Sequence, residues 1–168
     1  MTRRHWLFGA VVGTVGLTAF WLLVGSDEAK ILALVRKLID GAARNESDRG
    51  DAYAKRCRAL LSEALLSDGV LRAPELNDSL QGPEEISAWA SEASAEFDTL
   101  RFSLDQTEVK TNGSFAHVLA VITLFAKRAG MELRDTRRVD IRLRKRSEWQ
   151  IESIDVAEPS VDQPEARP

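Results

Sequence analysis

The chain is poor in the residues that build metal centres and covalent cross-links. Its 168 residues include one cysteine, Cys57, and two histidines, His5 and His117. A single thiol excludes an intrachain disulfide framework and a cysteine-based zinc site. Two histidines argue against a multi-histidine centre, so neither a metal nor a cofactor is expected. GxSxG, a P-loop, GxGxxG and HExxH are all missing, which removes the commoner enzyme classes but leaves a cofactor-free pocket enzyme open. There are no long internal repeats. The length suits one ordinary domain with appendages.

What is present begins with a run free of charge, Trp6 to Val24, 19 residues long. At about 1.5 Å per helical residue it spans roughly 28 Å, close to a hydrocarbon core of about 30 Å. Inside a water-soluble domain such a helix would be apolar on every face. Trp6 and Trp21 lie near its ends, where amphipathic rings favour the headgroups. Arg3 and Arg4 precede it. By the positive-inside rule residues 1–5 stay in the cytoplasm, 6–24 form a transmembrane helix, and the remainder is exported, in a bacterium to the periplasm. A cleaved signal peptide is the competing reading, with Val24-Gly25-Ser26 offering small residues, but the run exceeds the usual apolar core of such a peptide. Gly9 and Gly13 form a GxxxG step that two anchors could use to pack.

Charge narrows the partners. The whole chain carries −3, and without Arg3 and Arg4 the exported part carries −5. No nucleic acid is expected to bind. Glu158 to Pro168, with Pro159, Pro164 and Pro168, reads as a disordered tail. Residues 27–157 remain to fold.

Within them Ile31, Leu34, Val35, Leu38 and Ile39 recur at helical spacing, predicting a helix from about Asp27 to Ala43. Tyr53, Cys57, Leu60, Leu61, Ala64 and Leu65 mark a second helical face, and Val70 to Ala73 reads as a short strand ended by Pro74. Gly82-Pro83-Glu84-Glu85 starts a third helix, with proline in the first turn and two carboxylates at the positive end of the dipole. Its stripe is Ile86, Trp89, Ala90, Ala93 and Phe97. After Asp98 the period falls to two. Asn112-Gly113 signals a hairpin, and Ala129-Gly130 supplies a further turn. Phe115 to Ala126 is apolar on both faces and reads as a central strand covered on each side. Val139, Ile141 and Leu143 alternate with charged residues, and Trp149 to Val156 is the last strand. The order predicts an α+β domain closed by an antiparallel meander.

Two stretches carry a family likeness. Leu80-Gln81-Gly82-Pro83-Glu84-Glu85-Ile86 resembles the loop into the third helix of the nuclear transport factor 2-like (NTF2-like) superfamily. Trp149-Gln150-Ile151-Glu152-Ser153-Ile154-Asp155-Val156 resembles its closing strand. The superfamily is shared with ketosteroid isomerases, scytalone dehydratase and polyketide cyclases. The resemblance implies a cone-shaped fold in which a strongly bent antiparallel sheet wraps the helices around an apolar cavity. It implies no activity, since fold does not dictate function.

The pocket expected on that basis is lined by Tyr53, Trp89, Phe102, His117, Thr123, Trp149 and Asp155. His117 shares a strand parity with Phe115 and Thr123, and Asp155 shares one with Trp149 and Ile151. Tyr53, His117 and Asp155 are the candidate catalytic trio for isomerase- or dehydratase-like chemistry, which needs a base and an oxyanion donor in an apolar site. The structural alternative makes Tyr53 and His117 hydrogen-bonded packing residues and turns Asp155 to water or an arginine. Cys57 reads as apolar filler.

One surface stands out. Lys127 to Arg146 holds nine basic and three acidic residues. Arg134, Arg138, Arg142 and Arg144 have even spacing and would share one strand face, suited to an acidic partner or anionic headgroups, or simply to solvent and neighbouring acids. The leading expectation is a membrane-anchored, noncatalytic interaction domain of a bacterial envelope complex, pairing with an envelope protein or as a homodimer. The alternatives are a binding module for a small apolar ligand or lipid, and the enzyme above.

Overall fold

The computed structural model describes residues 26–48 and 50–157. The expected anchor at 6–24 and the tail from 158 lie outside them. Among the described residues no helix is long and apolar enough to cross a membrane.

Three helices open the domain: α1 (Asp27–Ala42), α2 (Gly50–Ala64) and, after a β excursion, α3 (Gly82–Ala95). Ser26 caps α1 by accepting the Ala29 N–H at 3.2 Å, and Ile31 and Val35 form its buried stripe. At the start of α3, Gly82 holds φ at +77°, where a Cβ would come within 2.9 Å of the Ser67 carbonyl. Only glycine fits that approach. Pro83 fills the first turn, and Glu85 reaches back to the Gln81 N–H at 2.7 Å. Phe97 lies beyond the end of α3.

Six strands follow the order β2-β1-β6-β5-β4-β3: β1 (Leu65–Arg72), β2 (Leu80–Gln81), β3 (Thr99–Asn112), β4 (Phe115–Arg128), β5 (Met131–Lys145) and β6 (Trp149–Val156). The sheet is mixed rather than wholly antiparallel, because β1 runs parallel to β6. β1 also starts earlier than its apolar run suggests, so Leu65 belongs to it and not to α2. Both hairpins form, the first turning at Gly113-Ser114, one residue later than expected because Asn112 pairs with Phe115; Gly113 has φ 61°, and Ala129 and Gly130 have 49° and 81°.

β3, β4 and β5 have 14, 14 and 15 residues. Straight, each would run roughly 45–50 Å, longer than a small domain is wide at about 30 Å. They bend instead. One extra residue, Asp105, sits in β3 between Leu104 and Gln106, and another, Glu152, in β6 opposite the Arg142–Leu143 step. Such bulges bend and twist a strand. Hydroxyls of Ser103 and Thr123 donate to the Asp105 carboxylate, and the Arg144 guanidinium donates to Glu152.

The curved sheet encloses the helices as a cone. Its narrow end is packed solid: Ile31, Val118, Leu143 and Ile151 are at most 1 % exposed. Asp27 closes that end, accepting from Lys145 Nζ at 2.9 Å and from Trp149 Nε1 at 3.1 Å. These two hydrogen bonds, Lys145 first and Trp149 second, hold the Asp27 carboxyl below its ordinary value of 3.8. A carboxyl with a depressed folded pKa stabilises the fold above its unfolded value and ceases to do so as the pH falls through the folded one. The variant Asp27→Asn should therefore melt below the wild type at neutral pH, with the gap narrowing as the pH falls through the lowered folded pKa of Asp27. Thermal scans across that range check this, and an undiminished gap in acid would refute it.

Candidate functional site

The wide end of the cone is hollow. Two lobes of about 340 and 420 Å³ lie between the helices and the sheet, within the range of small-molecule sites. Leu38, Ala42, Leu61, Trp89, Phe102 and Leu124 are among the residues that line both. Of the aromatic residues expected in the pocket, Tyr53, Trp89 and Phe102 are on its walls. Trp149 is not. It plugs the packed end, with its indole N–H on Asp27.

The expected catalytic trio does not converge. Ala116, Val118 and Ala120 turn into the cone, so His117 and Thr123, of opposite parity, lie on the outer face of β4. There His117 Nε2 meets Asp140 Oδ1 at 2.6 Å, with Lys110 and Arg142 as its register partners. Thr123 is 1 % exposed and spends its hydroxyl on Asp105, with Thr136 Oγ1 at 3.1 Å.

Asp155 is also outside the cone, for a different reason. The Glu152 bulge reverses the alternation of β6, so Trp149 and Ile151 point inward before it and Ile154 and Val156 after it. Ser153 and Asp155 are thereby sent outward, and Asp155 pairs with Arg72 at 3.0 Å. Asp140 and Asp155 are register partners. Each carboxylate is satisfied from its far side, by His117 and Arg72 respectively.

Tyr53 does face the cavity, but its hydroxyl donates to the Ala42 carbonyl at 3.0 Å. Arg56 joins it there, bonding the Gly41 and Ala43 carbonyls at 3.3 and 2.7 Å and Asp48 at 3.0 Å. Together they satisfy the carbonyls that a helix C-terminus leaves without partners. Burial, with Cys57 beside it, pushes the Tyr53 phenol up to about 12. It caps α1 and has no donor left for an oxyanion. Cys57 is buried next to it.

The charged residues that do line the cavity had drawn no attention in the sequence. They stand at the open rim of the larger lobe: Glu75 in the β1–β2 loop, and Asp135 and Arg137 on β5. Arg137 donates through Nη2 to Glu75 Oε1 at 2.6 Å and through Nε to Asp135 Oδ2 at 2.8 Å. Its Nη1 reaches the Ala157 carbonyl at 3.4 Å. The signal was in the alternation. Asp135 and Arg137 continue the parity of Val139, Ile141 and Leu143, so they had to face inward.

The outer face differs from expectation in a second way. β4 is not covered there: Phe115, Leu119 and Phe125 are 53 %, 42 % and 43 % exposed. Arg134, Arg138, Arg142 and Arg144 share this face, opposite Phe125, Val121, His117 and Phe115. Arg134 lies 5.5 Å from the Phe125 ring centre and Arg144 5.4 Å from that of Phe115, and Arg144 also pairs with Glu152. Arg138 and Arg142 enter no ion pair among the described residues.

No protein-family model and no curated protein matches the sequence. Solved structures do match the fold. An NTF2-like protein with a cystatin-like fold from Novosphingobium aromaticivorans superposes with a TM-score of 0.65 at 19 % identity, over 89 % of this chain and 92 % of that one. An NTF2-like superfamily protein from Salmonella enterica gives 0.66 at 14 % identity, over 84 % and 97 %. A candidate dehydratase of the NTF2-like family from Streptomyces avermitilis gives 0.63 at 15 % identity, over 80 % and 97 %. The chain has the α+β NTF2-like fold, a curved mixed sheet around three helices.

Proposed function

We propose that this domain is a noncatalytic binding module that holds a small apolar ligand in its cone. The supporting observation is the cavity itself: two lobes walled by aliphatic and aromatic side chains, left open where large residues could have filled them. Catalysis of the isomerase or dehydratase kind needs a titratable group inside that apolar volume. Among the described residues lining the lobes, Tyr53 is committed to capping α1, Cys57 is packed beside it, and the charged groups stand at the rim. The likeness to a candidate dehydratase at 15 % identity carries the fold and no chemistry.

The apolar run Trp6–Val24 supports a tethered module. α1 begins at Asp27, three residues after the run ends, and Asp27 is bonded to β5 and β6. A membrane span there would leave the domain almost no slack, with the packed end of the cone towards the bilayer.

A second reading, interaction through the outer face, is favoured by the exposed apolar column of β4. The occupant we propose is a second copy. A two-fold axis along β4 lays β5 of one copy over β3 of the other. The unpaired Arg138 then approaches Asp105, whose carboxylate is otherwise met by hydroxyls. Both functions fit one molecule, because the cavity and the outer face lie on opposite sides of the sheet.

Three outcomes are expected. An apolar photoactivatable probe should label the Trp89 region in the wild type, and Ala42→Phe, which fills the wall common to both lobes, should abolish labelling while the melting temperature is retained. Labelling unaffected by Ala42→Phe or by Leu61→Trp would refute binding in the cone. The full-length chain should sediment with membranes and resist carbonate extraction, and recovery in the soluble fraction would refute the tether. The variant Arg138→Glu should shift a dimer to monomer in sedimentation equilibrium, and a wild-type chain that is monomeric throughout would discard the paired-sheet reading.

A further inference from the structure

The rim of the larger lobe carries a preference that the apolar walls do not. Glu75, Asp135 and Arg137 are the charged side chains among the described residues lining either lobe. Two carboxylates and one guanidinium leave a net charge of −1 at neutral pH. The guanidinium is turned towards protein partners: Nε on Asp135, Nη2 on Glu75, and Nη1 towards the Ala157 carbonyl. Its side chain is 19 % exposed, against 52 % for Glu75 and 40 % for Asp135. The groups that an arriving molecule meets are therefore carboxylate oxygens. Arg137 bonds one oxygen of each carboxylate, and each has a second oxygen that can accept.

We infer that the ligand of this cavity is an apolar chain or ring system ending in a hydrogen-bond donor, an alcohol or an amine, and that carboxylate-ended amphiphiles such as fatty acids are rejected. The inference rests on the binding reading above and sharpens it to a chemical class. Acceptor-only headgroups find the guanidinium mostly buried behind its two carboxylates and meet like charge beside an apolar, weakly screening wall. A hydroxyl or ammonium group instead completes the unused carboxylate oxygens without displacing the Arg137 contacts. Glu75 and Asp135 thus act as the selecting groups, and Arg137 holds them in place.

The test uses the full chain in lipid nanodiscs and diazirine-bearing decan-1-ol, decylamine and decanoate, with crosslinks into the cavity-lining peptides read by mass spectrometry. The wild type should label with the alcohol and the amine about tenfold more than with decanoate. Converting both carboxylates, Glu75→Gln with Asp135→Asn, frees the guanidinium, and the ratio should reverse in favour of decanoate. Comparing ratios between two proteins cancels the unequal partitioning of the probes into lipid. Glu75→Gln alone, at a half-exposed loop position, should move the ratio in the same direction and guards against a misfolded double variant. Equal labelling by all three probes in both proteins, or a ratio that the substitutions leave unmoved, overturns the headgroup preference while leaving cone binding intact. Absence of cavity labelling by every probe overturns cone binding and this inference with it.

Discussion

One extra residue in each of two strands governs the shape of this protein and the placing of its chemistry. Asp105 in β3, and Glu152 in β6 against the 15-residue β5, break the register of a sheet whose longest strands cannot lie flat in so small a domain. The bend turns a sheet into a cone. The same insertions reverse which side chains face inward, since a strand alternates with a period of two. Both bulges are held from outside the cone by their own carboxylates, Asp105 by the Ser103 and Thr123 hydroxyls and Glu152 by Arg144. Those two hydroxyls, Ser103 first, lower the Asp105 pKa, so the acid stays ionised and the anchor persists.

This constraint explains how much was legible in the residues themselves. The helices were, because Ile31 and Val35, Tyr53 and Cys57, and Ile86 repeat at helical intervals and because Gly82-Pro83 is a strong start signal. The hairpins were too, since Gly113 and Ala129-Gly130 carry the positive φ that tight turns require. The pairing of β1 beside β6 was not. It joins segments some eighty residues apart, and nothing local in Leu65–Arg72 announces a parallel neighbour. Nor was the parity of β6, which depends on a bulge that the alternating pattern of Trp149 to Val156 conceals.

The site followed the same divide. Tyr53, Trp89 and Phe102 reach the cavity because helix faces and the inner parity of β3 are local properties. His117 was misplaced through the assumption that a strand apolar on both sides must be covered on both sides. β4 carries small residues inward, Ala116, Val118 and Ala120, and large ones outward, Phe115, Leu119 and Phe125. That distribution is the reverse of a lone domain's economy. The large outward residues make a surface that gains from contact.

The consequence for chemistry is a separation of charge from cavity. An enzyme of this shape works by placing an acid or base where water is scarce, so that its pKa moves towards neutrality. Here the titratable side chains are spent elsewhere. Asp27 locks the narrow end, Asp140 and His117 engage one another outside, Asp155 holds Arg72, and Asp105 and Glu152 pin the bulges. The carboxylates that reach the hollow, Glu75 and Asp135, do so at the rim beside a guanidinium that both engage. On the proposed reading a polar end is met there and an apolar body lies below it, against walls that, among the described residues, carry Tyr53 and Cys57 but no carboxylate or imidazole.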